Sequence, residues 1–543
     1  MKAMITRSAR WDWRQAARPL LAVILATVII LAIMLTGMQR GMHHKVSFGP
    51  ESEQASIAVA LSDVVYRLNL GYLAHASVLN KLKEIWNRGA KGAQDEILIA
   101  NSSDSQLMNA AIRAAASLGP QRVGYIGDRT LVTMFYADLG QVDFDKLGFR
   151  LFGLNIESRY YLYFSLLSLS ALVFVMTFHT RLNALVVLLC SLLSLYIELY
   201  LAMFSPYVPT FSGMRHGSTL GLIPMWYFIF LLGQKPTAGN VLGSVIQLSI
   251  LILAWRIRGS VAWMFIFILT TALVTAALGG PRRLAPLDWL AHLRRKLTVW
   301  PIILLIGISL QMVYLRTAPH PAYARDDFLP MHFIWHSAYL GFKFSPELMA
   351  PRVKKGFEKV GGNDTLGWYA ALDYADRIRL MPWTDIDSPP PIGSISPWSN
   401  NYKPRMHDDL MRGAVIEAVT KRPLATLKLY LYRKPIAILE VLKSTMSDAP
   451  TYTWLWLMLG GGMMVLTLLL TLGEALDLAQ LARLVLLVGA AIPFAAIPNI
   501  WAYPGPHASI DMVVSFAAFV PLALGLGAMA MWRMLSSLHA VAE

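Results

Sequence analysis

The sequence predicts an all-α polytopic membrane protein of about ten transmembrane helices, with two large extracytoplasmic loops, the first of mixed α/β character. Three observations predict it. Hydrophobic residues make up 56% of the 543 residues and charged residues only 15%, against about 25% charged in an average soluble chain. Apolar runs recur along the chain at close to the about 20 residues needed to cross a bilayer. Two polar stretches of about 120 and about 135 residues interrupt them, too long for passive connectors.

The first apolar run, 19–38, follows a tail (1–18) carrying Lys2, Arg7, Arg10, Arg14 and Arg18. That charge keeps the N-terminus cytoplasmic. The run has no small-residue cleavage site, so it reads as a retained helix rather than a signal peptide. The first polar loop covers 39–158. Runs near 160–178, 183–204, 217–233, 240–256, 260–280 and 298–315 then give helices two to seven, within 159–315. The second polar loop covers 316–451. Runs near 453–472, 482–500 and 511–532 complete the helices (452–532), and 533–543 is a second cytoplasmic tail. The cluster Arg282, Arg283, Arg294, Arg295 and Lys296 marks the connection after helix six as cytoplasmic, and Arg181, Lys235 and Arg533 agree with it. Arg256 and Arg258 oppose the layout, because they fall on the outer side of a short turn. Helices four and five are therefore also readable as re-entrant.

Composition excludes several classes. The only cysteine, Cys190, rules out an intramolecular disulfide framework and CxxC metal sites. The net charge of +15 reads as cations at the membrane faces, near anionic lipid, and not as a nucleic-acid surface. No Walker-type or GxGxxG loop is present.

In the first loop, Glu51, Glu53 and Asp63 lie shortly after helix one. From Glu51 onward, Ile57, Val59, Ala60, Leu61, Val64 and Val65 recur at near-helical spacing, which predicts an amphipathic helix on the membrane face. A short strand in DEILIA, an alanine-rich helix and a β-like stretch over 123–126 follow. Asp128 and Asp138 sit in turns of the same loop.

The loop ends ADLGQVDFDKLGFRLFGLNIESRYYLYF. An acidic patch after helix one, a DLG turn and an LFGLNxxSR approach to helix two resemble the GT-C superfamily of integral-membrane glycosyltransferases, over about 30 residues from Asp138 to Phe164. The layout, with large loops after helices one and seven, resembles it too. The resemblance implies an inverting transfer from a polyprenyl-phosphate-linked sugar to a lipid, glycan or protein acceptor, with a carboxylate of the first loop as base. The family's acidic pair after helix one is matched here only by Glu51 and Glu53. The candidates for the base are Glu53 and Asp128 first, then Glu51, Asp63 and Asp138. The resemblance also implies a bacterial inner-membrane protein with its active face outside.

A lipid phosphate at the membrane face needs cations on outer elements. Arg215 and His216 qualify between helices three and four, Arg316 and Arg325 beside helix seven, and Arg405 and His407 after a Pro- and Ser-rich loop, 381–404. In the second loop His332 and His336 are four apart and share a helical face. With Asp326 and Asp327 they are the metal candidates, although the glutamate of HExxH is absent. No cofactor is implied, and a divalent metal is compatible with these residues. Trp335, Tyr339 and Trp368 read as interfacial aromatics. The run HDDLMRGAVIEAVTKRPLATLKLYLYRKPIAILEVL reads as a helix, a break at Pro423 and a second, basic helix. Its Lys421, Arg422, Lys428, Arg433 and Lys434 suit lipid head groups.

Two other classes compete. A transporter or flippase is disfavoured by the lack of internal repeats and by nearly uncharged spans, Glu198 excepted. The remaining alternative is a noncatalytic membrane scaffold whose outer domains bind a partner.

Overall fold

The computed structural model describes residues 50–95, 104–119, 131–133, 139–202, 215–232, 234–278, 299–317, 334–360, 363–380, 404–447, 478–501 and 510–542, with Ile24, 26–31 and Leu35 of the first apolar run. These residues are overwhelmingly helical, as an all-α membrane protein requires. They form three large hydrophobic cores, a helical bundle and two polar domains, and a small one where Ile438 meets Ala496.

The first polar domain contains α1 (Pro50–Val64), β1 (Leu73–His75), α2 (Ala76–Asp95), α3 (Asp104–Ala116), β2 (Leu131–Thr133) and α4 (Leu139–Phe152). Helix α1 corrects the amphipathic expectation. Five consecutive residues, Ile57 to Leu61, are at most 1% exposed. A helix buried on every side is the centre of a domain, not a surface float. The domain's only strands among the described residues form a three-residue antiparallel ladder, with Ala74 opposite Val132. The strands expected in DEILIA and over 123–126 lie outside the described residues.

The bundle comprises α5 (Ser158–Phe178), α6 (Leu182–Ala202), a 3₁₀ segment (Arg215–Gly221), α7 (Leu222–Leu231), α8 (Ala238–Ile257), α9 (Ala262–Leu278), α10 (Val299–Thr317), α17 (Leu478–Trp501) and α18 (Ile510–Ala542). Among the described residues, four helices are long and apolar enough to cross a membrane: Ser158–Phe178, Ala238–Ile257, Gly259–Ala277 and Leu481–Trp501. They coincide with the runs read as helices two, five, six and nine. The fifth helix is thus of spanning length. The fourth is shorter among the described residues: the end of the 3₁₀ segment and the 10-residue α7 together give the apolar stretch Gly217–Leu231, below the about 20 residues of a spanning helix. All ten are buried, so α7 is wrapped by neighbouring helices.

Aromatic edges fasten the bundle. Trp226 meets Phe519 at 5.4 Å, and Phe267 meets Phe494 at 5.1 Å. One buried polar clamp joins α5 to α8. The Ser170 hydroxyl donates to Gln247 Oε1 (2.7 Å), and Gln247 Nε2 donates back to the Ser170 carbonyl (2.8 Å). Such reciprocal pairs satisfy polar groups where no water reaches.

The second polar domain contains α11 (Ile334–Leu340), α12 (Pro351–Val360), α13 (Asn363–Arg377), α14 (Pro404–Lys421), α15 (Pro423–Lys428), a π-helical turn (Leu429–Arg433) and α16 (Lys434–Ser447). The break falls at Pro423, as the sequence predicts, because proline removes a donor and suits a first helical position. Arg377 staples α13 to α14 through Asp373 and Glu417. The expected head-group role of Arg433 and Lys434 is corrected. Arg433 is instead held by Glu347 (2.7 Å) and the Ser345 hydroxyl (2.8 Å). Lys434 is fully buried and donates to the carbonyls of Ile500 (2.8 Å) and Trp501 (3.0 Å) at the end of α17.

Candidate functional site at the junction of the first polar domain and the bundle

The residues that carry the family resemblance build one joint. Gly153 ends α4 with φ +93°, a conformation glycine adopts without a Cβ penalty. The Ser158 hydroxyl then donates to the Gly153 carbonyl (2.5 Å) and bonds Asn155 Oδ1 (3.0 Å), closing the turn into α5. Arg159, one residue on, is 2% exposed and grips Asp145 with two bonds, Nε to Oδ1 at 2.6 Å and Nη2 to Oδ2 at 2.7 Å. Ser56 of α1 donates to the same carboxylate at 2.6 Å. Asn109 of α3 holds the Ile156 N–H (2.7 Å) and the Glu157 carboxylate (2.8 Å). The LFGLNxxSR stretch therefore welds the domain to the start of the first long span.

Beside this weld lies a more open cluster. Gly140, of the DLG turn, touches the backbone of Arg256 and Ile257 at the end of α8, where any Cβ would collide. The close approach lets Arg256 reach Asp143 of α4 and the Tyr72 hydroxyl. Tyr72 donates to Asp143 Oδ2 (3.2 Å). The Arg256 guanidinium also lies 5.2 Å from the Tyr314 ring at the end of α10. Lys146, one turn along α4, donates to the Gly71 carbonyl (2.8 Å) and faces Asp63 at 3.5 Å. Arg150 reaches Asp63 at 2.7 Å.

Burial dominates the electrostatics here. It raises the Asp143 carboxyl above the ordinary carboxylate value, against the opposing pull of Arg256 and Lys146. It raises the Tyr72 phenol and lowers the Lys146 ammonium. Both changes disfavour the charged form in a poorly solvated place. The Nε of Arg256 is buried without a hydrogen-bond partner among the described residues, and an orphaned guanidinium donor suits an anion.

Of the carboxylates expected from sequence, Asp63 is in this cluster, engaged by Lys146 and Arg150. Glu51 and Glu53 fall in the first turn of α1, with side chains outside the described residues, as are Asp128 and Asp138. Sequence reasoning missed Asp143, Lys146 and Tyr72. Arg256 was visible only as one of two residues, with Arg258, that opposed the predicted layout; the structure pairs it with Asp143.

Among the cation candidates, Arg215 and His216 open the 3₁₀ segment, Arg316 lies in the last turn of α10 and Arg405 in the first turn of α14, their side chains outside the described residues, as is all of Arg325. His407 is placed inside the second polar domain. It is fully buried, its ring 4.0 Å from Trp368, and Nε2 meets His336 Nδ1 at 2.9 Å. Burial and the neighbouring His336 hold His407 well below the usual histidine range, so it brings no charge to a phosphate. His336 pairs with His407, and the other proposed ligands, His332, Asp326 and Asp327, lie outside the described residues. No group of three potential metal ligands occurs among the described residues. Of the expected interfacial aromatics, Trp335 meets Trp501 (5.8 Å) at the end of α17, whereas Tyr339 is a core residue.

No protein-family model matches the chain, and no match is found among curated proteins or solved structures.

Proposed function

We propose that the chain is a membrane glycosyltransferase that moves a sugar from a polyprenyl-phosphate donor to an acceptor hydroxyl at the outer face of a bacterial inner membrane. The acceptor oxygen attacks the anomeric carbon, the bond from that carbon to the phosphate oxygen breaks, and a carboxylate of the first polar domain takes the acceptor proton. The polyprenyl phosphate leaves with the electron pair, its charge held by guanidinium groups. One observation carries the reading. Asp143, a half-buried carboxyl with raised proton affinity, sits against Arg256, whose Nε is a buried donor without a partner among the described residues, where the polar domain meets the ends of α8 and α10. Acid and anion holder thus stand side by side at the bundle end, where a head group whose tail lies in lipid would arrive. Asp143 joins Glu53, Asp128, Glu51, Asp63 and Asp138 as a candidate base, and Arg256 joins Arg215, Arg316, Arg325 and Arg405 as a candidate phosphate holder.

The test is transfer from radiolabelled polyprenyl-phosphate hexoses and pentoses to inner-membrane lipid and glycan extracts, using the full chain in proteoliposomes. Transfer that Asp143→Asn and Arg256→Lys both abolish, in variants that keep the wild-type melting profile, is the expected result. Transfer by neither the wild type nor any donor combination, or full activity in all the carboxylate variants, would overturn the reading in favour of a carrier or scaffold.

A further inference from the structure

Helix α15 and the π turn after it leave an apolar face with no described residue packed over it. Leu424 is 81% exposed, Leu427 55% and Leu431 70%. Their spacing of three and four places them on one helical face. Tyr432 and the cations Lys421, Arg422 and Lys428 are exposed on the same stretch, Lys421 also pairing with Glu417 one turn back on α14. The opposite side is fixed. Leu429 is fully buried, Arg433 is held by Glu347, and Lys434 is buried.

The height of this face relative to a membrane follows from its anchor. Lys434 caps the last carbonyls of α17, a helix of spanning length, and Tyr430 lies 6.5 Å from Trp501 at the same end. Leu431 precedes Lys434 by three residues, about 5 Å of helix. The exposed leucines therefore begin within one turn of the level at which a bilayer-crossing helix ends. Helices with a leucine face flanked by lysine and arginine lie in the head-group layer of anionic membranes.

We propose that residues 421–432 form an interfacial helix. Leu424, Leu427 and Leu431 enter the acyl boundary of the leaflet where α17 ends, and Lys421, Arg422 and Lys428 bind the phosphates of anionic lipids. The helix then ties the second polar domain to the membrane surface, and the inward Lys434 bond sets its depth. The inference does not depend on the chemistry at Asp143.

The full chain, reconstituted in nanodiscs, tests it. Single cysteines replace Leu424, Leu427 or Leu431, with Asp409→Cys on the exposed side of α14 as the aqueous control, and each carries an environment-sensitive fluorophore. The resident Cys190 is buried and is replaced by serine throughout. Lipids bearing a doxyl quencher near the head group should quench the three leucine positions at least about threefold more than position 409, and aqueous iodide should show the reverse order. Replacing phosphatidylcholine with a phosphatidylglycerol mixture should strengthen lipid quenching. A Lys421→Gln, Arg422→Gln, Lys428→Gln triple variant should lose that dependence while keeping the wild-type melting profile. Iodide quenching at the leucine positions equal to that at 409 would overturn the proposal, as would protection from both quenchers, which would mean a protein cover. Insensitivity of the wild type to anionic lipid would overturn its head-group part.

Discussion

Asp145 is fully buried between Arg159 and Ser56, and three hydrogen bonds converge on it. Removing one partner of a buried ion pair leaves the other uncompensated, at about 3–5 kcal/mol. Asp145→Asn should therefore lower thermal stability by that order, whereas an Asp145→Leu, Arg159→Met double variant should recover most of it; a single variant as stable as the wild type would contradict the weld. Asp143 differs, because it keeps partial access and a raised proton affinity. If it is the base, the ionised form acts, so the acid limb of the pH–rate profile lies above the ordinary carboxylate range. The Tyr72 hydrogen bond and the Arg256 charge both favour the ionised form. Tyr72→Phe should thus move the limb to still higher pH, and Asp143→Asn should cut turnover by about 10²–10⁴. An acid limb unmoved by Tyr72→Phe would remove Asp143 from the chemistry.

At the scale of elements, two contacts set how the polar domains sit. The first turn of α4 rests on the backbone of α8 because position 140 is glycine. A Cβ there meets main-chain atoms rather than a movable side chain, so Gly140→Ala should cost about 1–3 kcal/mol by overpacking and loosen the Asp143–Arg256 contact. Thermal melting in detergent, with and without the Arg256→Gln change, checks this: the two losses should be less than additive. The second contact is Lys434 on α17. Burial lowers its ammonium from the usual 10.5 to about 7. Between those values the unfolded chain binds more protons than the folded one, so the residue's contribution to stability rises as pH climbs from about 7 toward 10.5. A neutral amine still has donors for both carbonyls. Unfolding followed across that range should show the rise in the wild type and its absence in Lys434→Met.

For the whole molecule, the Arg256 end of α8 meets α4, Tyr72, Gly217 of the 3₁₀ segment and the Tyr314 end of α10, parts that the predicted layout places on or toward the outer side. At the opposite end, Trp300 Nε1 donates to the Gln234 carbonyl at 3.1 Å, Trp300 opening the run read as helix seven and Gln234 following the run read as helix four. Ser117→Cys and Arg412→Cys should therefore react with an impermeant maleimide in intact cells, and Ser536→Cys only after permeabilisation; protection of the first two would invert the layout. The membrane class, the positions of the four spanning-length helices and the helical character of the second loop's described residues were legible in the sequence, because hydropathy and helical periodicity are local properties that neighbouring residues express without a fold. The Pro423 break was legible for the same reason, since proline acts on its own turn. The candidate site was mostly not legible. Asp143 and Arg256 lie 113 positions apart in the sequence, and each alone reads as an ordinary surface charge. Only the close approach at Gly140 makes them partners, and only burial changes their affinity for protons. The same holds for α1, whose apolar pattern suits a membrane surface until α2, α4 and β1 cover its other faces. His407 shows the rule in reverse: its position after a loop suggested an exposed cation, while packing against Trp368 and His336 made it a neutral core residue. Sequence thus determined which segments are apolar enough to meet lipid, and tertiary structure decided which charges meet each other, because pairing and desolvation depend on distances that the order of residues does not contain.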